Sequence, residues 1–383
     1  MSMKKLSKKM LAVVAAGAMT MGLAMPAFAA DAGEGTKKVT QAYISKTYNT
    51  EVGKAMKFNF TATQNKTGAD VVKSTVACTI PSISFTDSET GTNKKVSSEI
   101  TFAPFTEAGK YEYTVKETES EPAITNSEHE KLLMSKAEYK MDVYVVENPV
   151  GTFKVDQIVV NKTKNDKGAD EGGKVDISGD KTNNTFNFVN TYVQEAGTGT
   201  DPTTPDPDYK KNGALKVSKT IDAQGETPST TDSFSFTAKF VFPEGTDATT
   251  LGGVKGNGKD VTLTEGAYTF TLKHEENMKF TGLPVGTKIT VKETGAVNYK
   301  GSASVVLNGG DAKIVAAGKY HEDLTAVDGD NDKLGQNKNT VDVTNTYNHV
   351  PTTGIIMNTL PYVLMIALCG AALFGFVAFK RRR

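Results

Sequence analysis

Residues 186–192 read Phe186-Asn187-Phe188-Val189-Asn190-Thr191-Tyr192, and residues 341–347 read Val341-Asp342-Val343-Thr344-Asn345-Thr346-Tyr347. Both carry the period-two pattern of a half-buried strand, because successive strand side chains point to opposite faces. Phe186 and Phe188 are in phase with Asn190, and Val341 and Val343 are in phase with Asn345. In each strand the apolar face is therefore continued by an asparagine. The Val/Thr-Asn-Thr-Tyr ending, at Val189–Tyr192 and Thr344–Tyr347, occurs twice in one chain, which signals an internal repeat.

Two further matches extend the repeat. Ile44-Ser45-Lys46-Thr47 corresponds to Val217-Ser218-Lys219-Thr220, and Val115-Lys116-Glu117-Thr118 corresponds to Val291-Lys292-Glu293-Thr294. Lys, Glu and Asn thus recur in the same order, in the first, a middle and the last strand of each half. Ala42 and Ile44 are in phase with Lys46, and Leu215 and Val217 with Lys219. Tyr113 and Val115 are in phase with Glu117, and Ile289 and Val291 with Glu293. All six polar residues continue an apolar face. Lys and Glu are almost never fully buried unless paired, and an uncompensated buried charge costs several kcal/mol. The plain alternative is that each strand ends there and its side chain emerges into solvent. Six coincidences in two matched sets favour burial.

The rest of the chain has an all-β texture. Thr, Val, Tyr and Phe recur in short alternating runs separated by Gly, Asn and Asp. In the first half strands are predicted at 40–48, 56–63, 71–80, 99–102, 109–117, 137–146, 152–160 and 185–192. In the second they are predicted at 214–221, 232–241, 266–272, 288–293, 303–307 and 340–347. Residues 161–183 read as a solvated loop, and 282–286 as a turn. Residues 194–212, with Pro202, Pro205 and Pro207, read as a linker that favours extended conformations and cannot bury a core. The organisation expected is 1–29, 30–193, 194–212, 213–349 and 350–383: export signal, first domain, linker, second domain and C-terminal anchor.

The two ends support export. Lys4, Lys5, Lys8 and Lys9 precede an apolar stretch at 10–25 and the small-x-small site Ala27-Phe28-Ala29, so the mature chain is expected to start at Ala30 or Asp31. At the other end Val350-Pro351-Thr352-Thr353-Gly354 precedes an uncharged apolar run from about 360 to 379 and the tail Lys380-Arg381-Arg382-Arg383. That run is long enough to span a bilayer, with the basic tail in the cytoplasm.

Composition excludes several functions. The 44 Lys and Arg balance the 44 Asp and Glu, so there is no electrostatic case for nucleic acid. His129, His274, His321 and His349 are scattered without metal-ligand spacing. Asp328-Gly329-Asp330-Asn331-Asp332 begins like a calcium loop, but Lys333 and Asn339 stand where Gly and Glu are required, so a solvated loop is expected. No metal or cofactor is expected. No Ser/His/Asp or Cys/His arrangement supports a hydrolase. Cys369 falls in the apolar run, which leaves Cys78 alone, so an exported chain must be stabilised without a disulfide.

Two resemblances follow. Val350 to Gly354, with the apolar run and basic tail, resembles the cell-wall sorting signal of Gram-positive surface proteins, usually written LPxTG, with Val350 in place of Leu. It implies that a sortase cleaves between Thr353 and Gly354 and passes the Thr353 carboxyl to an amine on peptidoglycan or on another protein. The repeated Lys, Glu and Asn motifs resemble pilin domains with self-generated Lys–Asn isopeptide bonds, as in the two-domain major pilins of streptococci. That resemblance implies two tandem immunoglobulin-like β-sandwiches of the CnaB type. It implies a Lys46–Asn190 bond with Glu117 as catalyst, and a Lys219–Asn345 bond with Glu293 as catalyst. The only catalysis it implies is this single-turnover cross-linking.

The partners implied are identical subunits, minor pilins, a pilin-class sortase, a housekeeping sortase and peptidoglycan. No Tyr-Pro-Lys motif is present. The streptococcal pattern places the polymerisation lysine after a late strand of the first domain, at Gln157-Ile158-Val159-Val160-Asn161-Lys162, which points to Lys162 with Lys164 and Lys167 beside it. An ordinary solvated lysine is the alternative at that position. A monomeric wall-anchored adhesin, with the same domains as a stalk, is the alternative function.

Overall fold

The computed structural model describes residues 38–149 and 151–348. The expected signal peptide, the start of the mature chain and the sorting signal lie outside the described residues. The strands of the first half are β1 (Ser45–Thr50), β2 (Met56–Asn65), β3 (Cys78–Thr79), β4 (Ile83–Phe85), β5 (Gly91–Val96) and β6 (Thr101–Phe102), followed by β7 (Gly109–Glu121), β8 (Glu130–Leu133), β9 (Glu138–Asn148), β10 (Thr152–Lys164), β11 (Asp170–Lys174) and β12 (Asn187–Gln194). They form a 4-stranded sheet ordered β5-β1-β12-β8 and a 6-stranded sheet ordered β11-β10-β9-β7-β2-β4, with β3 and β6 paired apart.

Helix α1 (Pro207–Asn212) leads into β13 (Leu215–Asp222), β14 (Phe234–Val241), β15 (Lys255–Gly256), β16 (Lys259–Asp260), β17 (Ala267–Leu272) and β18 (Asn277–Thr281). Then come β19 (Lys288–Glu293), β20 (Tyr299–Val306), β21 (Lys313–Ala316), β22 (Leu324–Lys333) and β23 (Thr340–Tyr347). These make a 7-stranded sheet, β16-β15-β18-β13-β23-β20-β21, and a 4-stranded sheet, β17-β14-β19-β22.

The chain is thus all-β, with two successive pairs of packed sheets. Alternation builds each core. Tyr111, Tyr113 and Val115 of β7 are fully buried, while the residues between them are not. Side chains from the two sheets interdigitate: Tyr48 of β1 meets Phe58 of β2 with ring centroids 5.3 Å apart, and Phe240 of β14 meets Phe280 of β18 at 5.2 Å. Each such ring contributes roughly 2–3 kcal/mol on burial. In both halves the first strand pairs parallel to the last, β1 with β12 and β13 with β23.

Three loop or linker expectations need correction. Residues 161–183 are not one solvated loop: β10 runs on to Lys164, and Asp170–Lys174 adds an edge strand. Asp328 to Asp332 falls within β22 and is not a separate loop: Asp328 pairs with Thr290 of β19, and the register then shifts before Lys333 pairs with Lys288. Their charged composition fits an edge strand, whose outer face stays in water.

The linker differs most. Residues 193–199 are buried. Val285 N–H donates to Gln194 O (2.8 Å), Ala196 N–H to Leu283 O (2.9 Å), Gly197 N–H to Gly335 O (3.0 Å) and Gly199 N–H to Gln336 O (2.7 Å). Gly197 has φ +79, and a Cβ there would lie 2.4 Å from Gly213 O. The small residues let two backbones approach, so they serve a close junction rather than a flexible tether. Pro207 opens helix α1, where its missing N–H costs nothing.

Candidate functional site

The parallel pairing of first and last strands sets the geometry of two matching sites. Lys46 lies opposite Phe188 on β12, and Lys219 lies opposite Val343 on β23. In each case the asparagine is two residues farther along the partner strand, on the same face. The glutamate comes from the facing sheet. Glu117 of β7 pairs with Phe60 of β2, and Glu293 of β19 pairs with Phe236 of β14.

The polar atoms meet. Lys46 Nζ is 2.7 Å from Glu117 Oε1, and Asn190 Nδ2 donates to the same oxygen at 2.9 Å. Lys219 Nζ is 2.7 Å from Glu293 Oε1, and Asn345 Nδ2 donates to that oxygen at 2.9 Å. The Lys46 and Glu117 side chains are both 0 % exposed. Lys219, Glu293, Asn190 and Asn345 are buried as well. Neither Nζ makes a well-directed hydrogen bond among the described residues, although each touches a carboxyl oxygen. Aromatic rings enclose the amines: Lys46 Nζ lies 4.5 Å from the Phe58 ring centre, and Lys219 Nζ 4.2 Å from that of Phe234.

Burial dominates the electrostatics. Desolvation pulls both lysines from 10.5 down to about 8, against the opposing pull of their glutamate partners. Desolvation likewise raises Glu117 and Glu293, against the attraction of the lysines and the amide hydrogen bonds. Both shifts favour the neutral amine beside the protonated acid. A neutral amine is a nucleophile, and a protonated carboxyl can polarise an amide and deliver a proton.

Several contributing residues were missed in the sequence. Phe58-Asn59-Phe60 and Phe234-Ser235-Phe236 form a fourth repeated motif on the second long strand of each half. One ring covers the amine and the other sits across from the glutamate. Ser135 N–H donates to Asn190 Oδ1 at 2.7 Å, and Met134 Sδ lies 3.2 Å from Asn190 Nδ2. In the second site Gly301 occupies the register position opposite Asn345. A Cβ there would come 3.2 Å from Asn345 Oδ1 and 3.3 Å from Glu293 Oε2. No sequence signal marks Ser135, since its role depends on where β8 stops.

Lys162 stands apart from both sites. It lies within β10, not after it, opposite Tyr139 on one side and Gly173 on the other. Its side chain is 18 % exposed, with Nζ 3.5 Å from Glu171 and 3.9 Å from Asp166. Lys164 pairs with Glu138 at 3.0 Å, and Lys167 is exposed. Val350, Pro351, Thr352, Thr353 and Gly354 lie outside the described residues. Among the described residues, no group of three or more His, Cys, Asp or Glu is arranged to hold a metal ion. Burial pushes the Cys78 thiol up to about 12, which leaves it a poor nucleophile.

Comparison with known proteins adds the following. A family model for a domain of unknown function (DUF7601) matches residues 213–347. No curated protein matches the chain. Among solved structures, the chain is similar to the major pilin from Streptococcus pyogenes, with 19% identity over 81% of this chain and 99% of that one, and a TM-score of 0.33. It is also similar to the T3.2 major pilin of Streptococcus pyogenes, with 18% identity over 81% of this chain and 98% of that one, and a TM-score of 0.28. A third is a pilus-presented adhesin, with 10% identity over 81% of this chain and 100% of that one, and a TM-score of 0.27.

Proposed function

We propose that this chain is a structural surface protein whose two sandwiches each close an intramolecular Lys–Asn isopeptide bond. The observation that carries this reading is the twofold occurrence of a buried amine, carboxyl and carboxamide at contact distance, in one register. Two buried ionic clusters at matched positions are hard to explain as stabilisers, because desolvation offsets most of their attraction. As reactants the amine and the carboxamide are consumed, and the carboxyl is left beside an uncharged amide.

The reaction balances without a co-reactant. Neutral Lys46 Nζ attacks Asn190 Cγ, and the electron pair of the C=O moves onto Oδ1. The protonated Glu117 carboxyl supplies a proton to the departing Nδ2 and takes one from the attacking nitrogen. The C–N bond to Nδ2 breaks, ammonia leaves, and a secondary amide remains. Lys219, Glu293 and Asn345 do the same in the second site. The folded core replaces a bimolecular encounter by fixed contact, which supplies much of the acceleration. The product amide is uncharged, so the cost of burying an ion pair disappears with the reaction.

The bonds would join the first strand of each sandwich to its last. Tension along the chain then bypasses the strands between. With the sorting signal expected at 350–354, this suits the backbone subunit of a covalent pilus on a Gram-positive surface, exported, polymerised by a pilin-class sortase and fixed to peptidoglycan. Lys162 is the acceptor proposed for the Thr353 carboxyl of the next subunit.

Intact mass tests the central claim. The mature chain should fall short of its sequence mass by two ammonia molecules, Glu117→Ala or Glu293→Ala by one, and the double variant by none. A wild-type chain at full mass refutes the cross-links. Polymer formation has its own readout: boiled wall extracts should show a high-mass ladder that Lys162→Ala abolishes. A single narrow band from the wild type would instead indicate a monomeric anchored protein.

A further inference from the structure

We propose that the backbone amide of Ser135 is the oxyanion donor of the first site, held by Asp166, and that the second site closes without such a donor. The first cross-link therefore forms faster than the second. This rests on the isopeptide reading above and adds a positioning element to it.

When Lys46 attacks, negative charge develops on Asn190 Oδ1. A donor is already aimed at that atom, Ser135 N–H at 2.7 Å. Asn190 presents its oxygen to the donor and its nitrogen to Glu117, the orientation the reaction needs. A pre-aimed donor requires no reorganisation as charge forms, which is why such donors contribute strongly to acyl transfer.

The donor exists because β8 stops early. Its last residue, Leu133, pairs with Thr191, one position short of Asn190. The chain then turns, and the Ser135 amide points inward instead of joining a ladder. Asp166 fixes this turn. Its Oδ1 accepts from Ser135 Oγ at 2.6 Å and from Val189 N–H at 2.8 Å, and its backbone oxygen accepts from Lys136 N–H at 3.0 Å. Ser135 Oγ also accepts from Ala137 N–H at 3.1 Å. One carboxylate therefore ties the turn to the strand that carries Asn190.

In the second half the neighbouring strand does not stop. β20 runs past the site, with Gly301 paired to Asn345 and Ser302 to Thr344. Asn345 Oδ1 has no hydrogen-bond partner among the described residues.

The test follows cross-linking in the full mature chain during cell-free synthesis. Samples are quenched at intervals, and the Lys46–Asn190 and Lys219–Asn345 peptides are quantified by mass spectrometry. In the wild type the first site should close roughly 10²-fold or more ahead of the second, the lower end of what one donor contributes. Replacing Ser135 by its α-hydroxy-acid counterpart removes only the N–H. It should slow the first site roughly 10²- to 10³-fold and leave the second at its wild-type rate. Asp166→Ala should also slow the first site, while Asp166→Asn, which keeps an acceptor oxygen, should restore it. If the ester chain does not fold, the two Asp166 variants decide. Wild-type rates for the ester chain, or an Asp166→Asn chain as slow as Asp166→Ala, would overturn the donor while leaving the cross-links standing. Absence of both cross-links in the wild type would overturn the isopeptide reading itself.

Discussion

The two sites share their lysine, glutamate and asparagine contact distances and differ in what surrounds the carboxamide oxygen. Lysine to glutamate is 2.7 Å in both, and asparagine to glutamate is 2.9 Å in both. Yet Asn190 lies beyond the end of a neighbouring strand, whereas Asn345 lies inside a continuous ladder. The shared part is fixed by the parallel pairing of first and last strands and by a glutamate from the facing sheet. The variable part is fixed by the length of one strand. A third contact shows that proximity alone does not make a reactive pair. Lys110 Nζ is 2.5 Å from Asp70, but the Asp70 side chain is 62 % exposed. Asp70 is lowered, chiefly by its hydrogen bond to Lys110, and Lys110 is raised because its acidic neighbours outweigh partial burial. That pair stays ionic. Burial, not distance, separates it from the other two.

The largest expected effect is loss of a cross-link. Closing a loop of more than about 100 residues stabilises by roughly 5 kcal/mol in the chain-entropy account. Glu117→Ala and Glu293→Ala should each lower stability by an amount of that order, seen as a drop in calorimetric transition temperature. If only one variant loses stability, only one site reacts, and the equivalence of the two halves fails.

Next in size is a pH effect confined to unreacted sites. Asn190→Ala leaves Lys46 and Glu117 buried with nothing to join. Lys46 is depressed to about 8 in the fold against 10.5 when free. The unfolded chain therefore binds a proton more tightly, and the fold loses stability as pH falls from about 10.5 to 8. Stability of Asn190→Ala should accordingly rise by about 3 kcal/mol across that window as pH increases. Asn345→Ala should behave alike through Lys219, which is also held at about 8. With the proposed bonds formed, neither site of the wild type keeps an amine to titrate, so a wild-type curve with the same rise would argue against the bonds.

A smaller effect separates the sites by space. Gly301→Ala would bring a methyl to 3.2 Å from Asn345 Oδ1 and from Leu324 Cβ. Overpacking of this kind costs about 1–3 kcal/mol. It should slow the second cross-link and leave the first untouched in the peptide assay. Equal slowing of both would mean that the two sites are not independent.

The six buried polar residues of the two sites were legible because strand phase and repetition act together. A polar residue in phase with an apolar face is ambiguous once, but not when it recurs at matched positions. Phe58, Phe60, Phe234 and Phe236 were equally legible as a repeat and were overlooked, since aromatic residues in strands are ordinary core. Ser135 and Gly301 were not legible. Each acts through backbone geometry or missing volume, which depend on where a neighbouring strand ends. Residues 194–199 misled for the opposite reason. Ala196, Gly197 and Gly199 read as loose chain, but small residues are also what a tight backbone contact requires.

That contact carries the smallest prediction, and it asks whether the two halves report on each other. The buried Glu195 accepts from Gly282 N–H at 2.5 Å and meets His129 Nδ1 at 2.5 Å, while Tyr209 stacks edge-on against the imidazole at 5.1 Å. Glu128 is 3.4 Å from the other imidazole nitrogen. Its hydrogen bond to Glu195 raises His129, against partial desolvation. A raised histidine contributes stability that is complete below its unfolded value and is lost as pH rises through its folded value. The junction should therefore be tightest in mild acid and weaken above it. His129→Ala removes one partner from a buried carboxylate, at a cost of roughly 1–3 kcal/mol. Calorimetry should show the two halves unfolding together in acid and drawing apart as pH rises, and drawn apart at every pH in His129→Ala. Both cross-links should still form in that variant, because neither site touches His129. An unchanged, pH-independent transition in His129→Ala would mean that the backbone bonds at 194–199 hold the halves together without the imidazole.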